Sequence, residues 1–252
     1  MAADWPLRGS VAPSYARWDG WQLGVMAGYG NLNADFGNST SPLVASILRN
    51  SLLEQEAAPS TWTALQPNST NGPVFGAFLG YNVQWDELVL GWDLAYKHPS
   101  VLQSSTGDTL TRRADLSNNE QHDVTVAGQS TFKLVDYATL RARAGYAVGQ
   151  FLPYAVVGIA VGRFNYQTSV TVTDSVTQLL PAPPTFLGTN VQSASAGQNN
   201  VFVAGVAAGL GVDWAVTPVV FLRGEWEFVA FAPVNSTRSN SQTGLVGIGM
   251  RY

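Results

Sequence analysis

Two-residue alternation, with one bulky apolar face and one nearly bare face, constrains this chain more than any other feature. In GLVGIGMRY, at the C-terminal end, Val246, Ile248, Met250 and Tyr252 share one parity, while Leu245, Gly247, Gly249 and Arg251 share the other. In WQLGVMAGY, Trp21, Leu23, Val25, Ala27 and Tyr29 oppose Gln22, Gly24, Met26 and Gly28. The same division runs through VFGAFLGYNVQ, LVLGWDLAYK, YATLRARAGYA, FVAGVAAGLGVDW and VFLRGEWEF. Successive side chains leave a strand on opposite faces, so a period of two is the mark of a strand. LPYAVVGIAVGRFNY is apolar on both parities and does not declare its sides. Counting it, eight strands are expected.

Which face meets water decides the fold. A soluble barrel turns its apolar face inward and covers the other with Lys, Glu, Ser and Thr. Here the second face is dominated by glycine, among them Gly24, Gly80, Gly91, Gly145, Gly209 and Gly249, interrupted by isolated charges. Small residues between a few polar ones suit a narrow interior, which leaves the bulky face for lipid. A closed barrel satisfies every backbone group there. Only 12% of residues are charged, about half the usual share. No run of sequence reaches the ~20 apolar residues of a membrane helix.

Connections alternate in length. Short turns are expected near residues 85–87, 148–150 and 215–218, and long polar connections over 31–72, 98–123, 167–199 and 232–242. Such asymmetry is typical of transmembrane barrels and atypical of compact soluble domains. The expected fold is all-β: an eight-stranded antiparallel transmembrane β-barrel with short periplasmic turns and long extracellular loops. Residues 1–20 form a periplasmic N-terminal segment and 21–252 the barrel domain. The first residues lack the charged and apolar regions of a signal peptide and read as a mature, processed end, with both termini periplasmic. Within the first long connection, residues 42–57 carry helical spacing, with Ser41 as N-cap and Pro42 at the first helical position.

Trp21, Tyr29, Tyr81, Trp92, Tyr96, Tyr146, Trp214, Trp226 and Tyr252 fall on the bulky face near strand ends, where aromatic girdles meet the lipid–water boundaries. The inner face carries Asp93, Arg141, Arg143, Asp213, Arg223, Glu225, Glu227 and Arg251. An eight-stranded barrel has room inside for side chains and little else, so these charges are expected to pair and plug it. The alternative is a narrow path for small solutes. Glu225 and Glu227 share a side, yet nearby arginines would keep both ionised, which does not suit a general acid.

No catalytic motif of the lipase, zinc-protease or phosphate-loop type occurs. Without cysteine and with only His98 and His122, neither a disulfide framework nor a thiolate metal site is available, and no cofactor is expected. The histidines read as solvated residues at the rim. Haem ligation through either is the weaker alternative, in a receptor role for the loops. The net charge of -4 gives no basic stripe for nucleic acid.

DGWQLGVMAGYG, GAFLGYNVQ, TLRARAGYA, FLPYAVVGIAVGR, GLGVDWAVTP and LRGEWEFVAF resemble successive blocks of the small alphaproteobacterial porin-like family, which includes the 25- and 31-kilodalton outer-membrane antigens. The resemblance covers the strands from Trp21 to Tyr252, apart from a longer stretch over 123–136, and does not extend to the loops. It implies a barrel of the outer-membrane protein A type, surrounded by outer-membrane lipids and lipopolysaccharide. The terminal Tyr252 resembles the signal read by the barrel-assembly machinery, although phenylalanine is usual there. A structural, surface-exposed role follows, with loops offered to an extracellular ligand.

Overall fold

The computed structural model describes residues 16–62 and 65–252. Its strands are β1 (Gly20–Asp35), β2 (Asn68–Trp85), β3 (Leu88–Pro99), β4 (Leu102–Asp115), β5 (Glu120–Tyr146), β6 (Phe151–Gln178), β7 (Thr185–Ala215), β8 (Val220–Val234) and β9 (Thr237–Arg251). All neighbours are antiparallel, β1 pairs with both β2 and β9, and β3 closes the ring against β5. β3 lies along 137–146 of β5 and β4 along 121–134. The two are one long strand broken at Ser100 and Val101. Pro99, which has no N–H to give a ladder, precedes the break, and the Ser100 N–H donates instead to the Pro73 carbonyl at 3.0 Å. The barrel therefore has the eight staves expected from the sequence.

Long connections do gather at one end, but their internal structure differs from the loops expected. Most of 98–123 and 167–199 belongs to paired strands: β4 and β5 are joined only by 116–119, and β6 and β7 by 179–184. Residues 232–242 are a tight hairpin, with Asn235 and Ser236 both at positive φ (47° and 63°), the conformation that two-residue turns demand. Ser or Thr alternates with Val over 169–173, which is a strand pattern without a lipid face. Four strands, β4 to β7, thus rise well beyond the others.

The expected helix over 42–57 is instead two short ones, α1 (Ser41–Ile47) and α2 (Leu52–Ala57). Asn50, at φ 63°, turns the chain between them. Thr40 rather than Ser41 holds the N-cap position of α1, and Ser51 Oγ caps α2 by accepting from the Glu54 N–H at 3.1 Å. Val44, Leu48 and Leu53 pack on Val124, Val126, Val170 and Val172, so the helices line the inner side of the raised sheet.

Side chains divide as the alternation requires. Leu23 and Val25 are exposed on the outside, while Gln22 and Met26 are buried inside. The undeclared segment resolves the same way: Val157, Ile159 and Val161 point out, and Leu152, Tyr154, Val156 and Ala160 point in. Inner-face glycines make room for rings. A Cβ on Gly211 would stand 2.3 Å from the Tyr154 ring, and one on Gly249 would stand 2.4 Å from Phe221. Either contact is far inside van der Waals distance.

Candidate functional site

The interior at mid-barrel is a charge cluster built from facing strands. Arg141 on β5 reaches across the lumen, and its Nη1 donates to Glu225 Oε1 and Glu227 Oε2 on β8, both at 2.6 Å. Its other guanidinium nitrogens bond Asp93 on the neighbouring β3. Arg223 donates to Asp93 Oδ2 at 3.0 Å and to Asp213 Oδ1 at 2.9 Å. Arg143 also bonds Asp213, and both Arg143 and Arg223 reach Gln22 Oε1 at 3.2 Å. Tyr154 donates its hydroxyl to Glu225 Oε2 at 2.8 Å, and Tyr137 donates to Glu227 Oε1 at 3.3 Å.

Lys97 is the member that sequence reasoning left out. Its ammonium lies 2.6 Å from Glu227 Oε1 with no side-chain exposure on either partner. The signal was present, since Lys97 shares parity with Asp93 at the end of the third expected strand, directly before the connection expected over 98–123. With it, four carboxylates meet four cations and the cluster is formally neutral. Buried ions are tolerated only when paired and hydrogen-bonded, and each of these has at least one partner of opposite sign.

Arg251 stands apart from this cluster. It lies at the short-turn end, donating from Nε to the Pro218 carbonyl at 2.7 Å and lying over the Trp18 ring at 4.5 Å. Trp18 is fully buried and edge-on to Phe221 at 5.9 Å. Its backbone N–H donates to Gln84 Oε1 at 2.6 Å. Arg251 and Trp18 thus fill the mouth of the short-turn end. Trp18 belongs to the segment expected over 1–20, and its burial comes from this tucked approach to β1.

Trp21, Tyr29, Tyr81, Trp92, Tyr96, Tyr146, Trp214, Trp226 and Tyr252 are all exposed on the outer surface. Trp21 contacts Tyr81 and Trp92 edge-on at 5.2 and 5.7 Å. Beyond Tyr96 the outer face changes character: its hydroxyl donates to Asp136 Oδ2 at 3.1 Å, and Asp136 pairs with Arg163. That cluster marks one limit of the apolar band.

The two histidines are not brought together. His98 lies on the outer face at the end of β3, whereas His122 is opposite Ala114 near the tip of β4. Leu102 to Ala114 alone spans roughly 40 Å at ~3.3 Å per residue. His122 is buried, with Asp174 Oδ2 2.8 Å from Nδ1 and Glu120 Oε2 3.4 Å from Nε2. The carboxylates flank opposite sides of the ring and do not converge on one point. Among the described residues, no group of His, Asp and Glu is arranged to hold a metal.

The raised sheet has an open edge. β8 begins to pair with β7 only at Gly205, so among the described residues 185–200 have β6 on one side and no strand on the other. Residues 185–193 are exposed almost throughout, and no charged residue or proline occurs over 185–200. Edge strands ordinarily carry charges, prolines or bulges against foreign strands; this one has a register shift at Leu187 and neither of the other two.

The solved structures similar to this chain include Ail of Yersinia pestis, 11% identical with a TM-score of 0.35, covering 93% of this chain and 100% of that one. Neisserial surface protein A is 16% identical with a TM-score of 0.37, covering 91% and 97%. The outer-membrane protease OmpT of Escherichia coli is 7% identical with a TM-score of 0.31, covering 93% and 97%. No curated protein matches in sequence. The family assignment rests on the match to the model of the outer membrane protein beta-barrel domain over residues 8–252. The chain belongs to that family of barrels of the bacterial outer membrane.

Proposed function

We propose that this chain is a non-conducting barrel displayed on the cell surface, where it binds a protein partner by accepting a strand on the free edge of β7. Supporting this is one observation above the rest: residues 185–193 are exposed and uncharged along an unpaired edge. Main-chain groups there are available to an extended segment, whose affinity would come from ladder hydrogen bonds. Phe186, Leu187 and Val191, all exposed, supply apolar contacts on the two faces. The reading places the short turns and both termini in the periplasm and the raised sheet outside, the usual orientation of such barrels. It assigns no catalysis, in keeping with the separated histidines, and it agrees with the resemblance to the small alphaproteobacterial antigens.

Adhesion of cells displaying the chain to immobilised extracellular-matrix proteins tests this. Val191→Pro and paired lysines at Val191 and Ser193 should abolish adhesion while the barrel still folds. Adhesion that survives both edge variants would overturn the proposal.

A further inference from the structure

At the base of the raised sheet three strands are irregular at one level. β5 is bulged between Leu134 and Asp136, and the β6–β7 register slips between Phe164 and Tyr166. Asn165 holds the slip by accepting from the Asn200 N–H at 2.8 Å, with Asn200 at φ 58°. Bulges bend and twist the strands that carry them. Here they accompany an outward concavity of about 520 Å³ across β4 to β7. Its lining is mostly carboxamides and hydroxyls, with Gln103, Asn165, Gln167, Gln198 and Asn199 around Lys133.

Lys133 is the one cation in that lining, and no described carboxylate forms a salt bridge with it. Asp136, close by on the same strand, is instead occupied by Arg163 and Tyr96. Those residues end the lipid-facing band, so the groove opens at the height where hydrocarbon gives way to headgroups. Carboxamides both donate and accept hydrogen bonds, which suits the hydroxyls of a sugar, and an ammonium suits a phosphate.

We propose that this shoulder groove binds the phosphorylated saccharide headgroup of an outer-leaflet glycolipid, with Lys133 on a phosphate and the carboxamides on sugar hydroxyls. Access in the cell rests on the orientation proposed above; binding by the purified chain does not.

Native mass spectrometry of the full chain released from detergent micelles reads the site directly. The probes are a bisphosphorylated lipid A, the same glycolipid without phosphate, phosphatidylglycerol, and a free phosphorylated disaccharide. The bisphosphorylated glycolipid should be retained best. Its apparent affinity should fall about tenfold or more in Lys133→Ala and in the double variant Asn165→Ala/Gln167→Ala, but not in Arg238→Ala on the far side of the barrel. Retention of the free disaccharide would assign the site to the headgroup chemistry and not to the acyl chains. Equal retention of phosphatidylglycerol, or an unchanged affinity in Lys133→Ala, would overturn the proposal. Binding as described, with the long connections found inside the cell, would sink the orientation and leave the groove standing.

Discussion

The Lys97 ammonium lies 2.6 Å from the Glu227 carboxylate, and neither side chain touches solvent. Removing one partner leaves an uncompensated charge inside the barrel, which costs about 3–5 kcal/mol when a pair is fully buried. Lys97→Met should therefore lower unfolding free energy in lipid vesicles by about that amount. Lys97→Met combined with Glu227→Gln should recover part of the loss. Additive losses in the double variant would mean that the two side chains do not act as a pair.

Arg141 should be less replaceable still, because it bonds Asp93, Glu225 and Glu227 at once. Arg141→Met takes a partner from three carboxylates at once, leaving Asp93 to Arg223, Glu227 to Lys97 and Glu225 to the Tyr154 hydroxyl, and no single second substitution removes all three. Urea titration of Arg141→Met, alone and with Glu225→Gln, should give a larger loss than Lys97→Met and only slight recovery.

The two faces should respond oppositely to the same substitution. Val206 is 61% exposed on the lipid side, and arginine there should cost about 2–4 kcal/mol near the midplane. A Cβ at Gly209 would stand 2.6 Å from the Trp226 carbonyl and 3.1 Å from Val156, so arginine there should block folding through crowding. Spin labels at Leu23 and Val25 should be quenched by lipid-soluble and not by water-soluble reagents. Quenching by water-soluble reagents alone would refute the lipid-facing assignment.

Glu56 ties α2 to the β4–β5 turn, accepting from the Ser117 N–H at 2.9 Å and its hydroxyl at 2.6 Å. These bonds lower the Glu56 pKa from its ordinary value. A depressed carboxyl contributes its tether above its unfolded pKa and loses it as pH falls through the folded value. A spin label at Gln55, feasible in a chain without cysteine, should gain mobility on acidification below the ordinary glutamate range. In Glu56→Gln it should be mobile at neutral pH already. A label equally immobile in both proteins at all pH values would remove the tether.

The membrane-embedded half was legible because lipid on one side and a narrow lumen on the other impose opposite residue sizes at every step. Gly211 against Tyr154 and Gly249 against Phe221 carry that signal in sequence. Above the apolar band the constraint disappears. Thr171 and Thr173 face outward where lipid no longer requires Leu or Val, so β6 continued while its sequence read as loop. Lys97 stands on the inner parity of an expected strand, so its place in the charge cluster was legible, whereas Arg251 was over-assigned because parity gives a face but not a height. At the short-turn end, carbonyls of Pro218 and Thr217 are the groups within its reach.

Single-channel recording of the purified chain in planar bilayers asks most directly whether the charged interior closes the barrel. With Asp93, Asp213, Glu225 and Glu227 matched by Lys97, Arg141, Arg143 and Arg223, the wild type should give no stable conductance. Steady unitary currents in the wild type, abolished by neutralising Arg141 and Arg143, would contradict the plug and identify a channel.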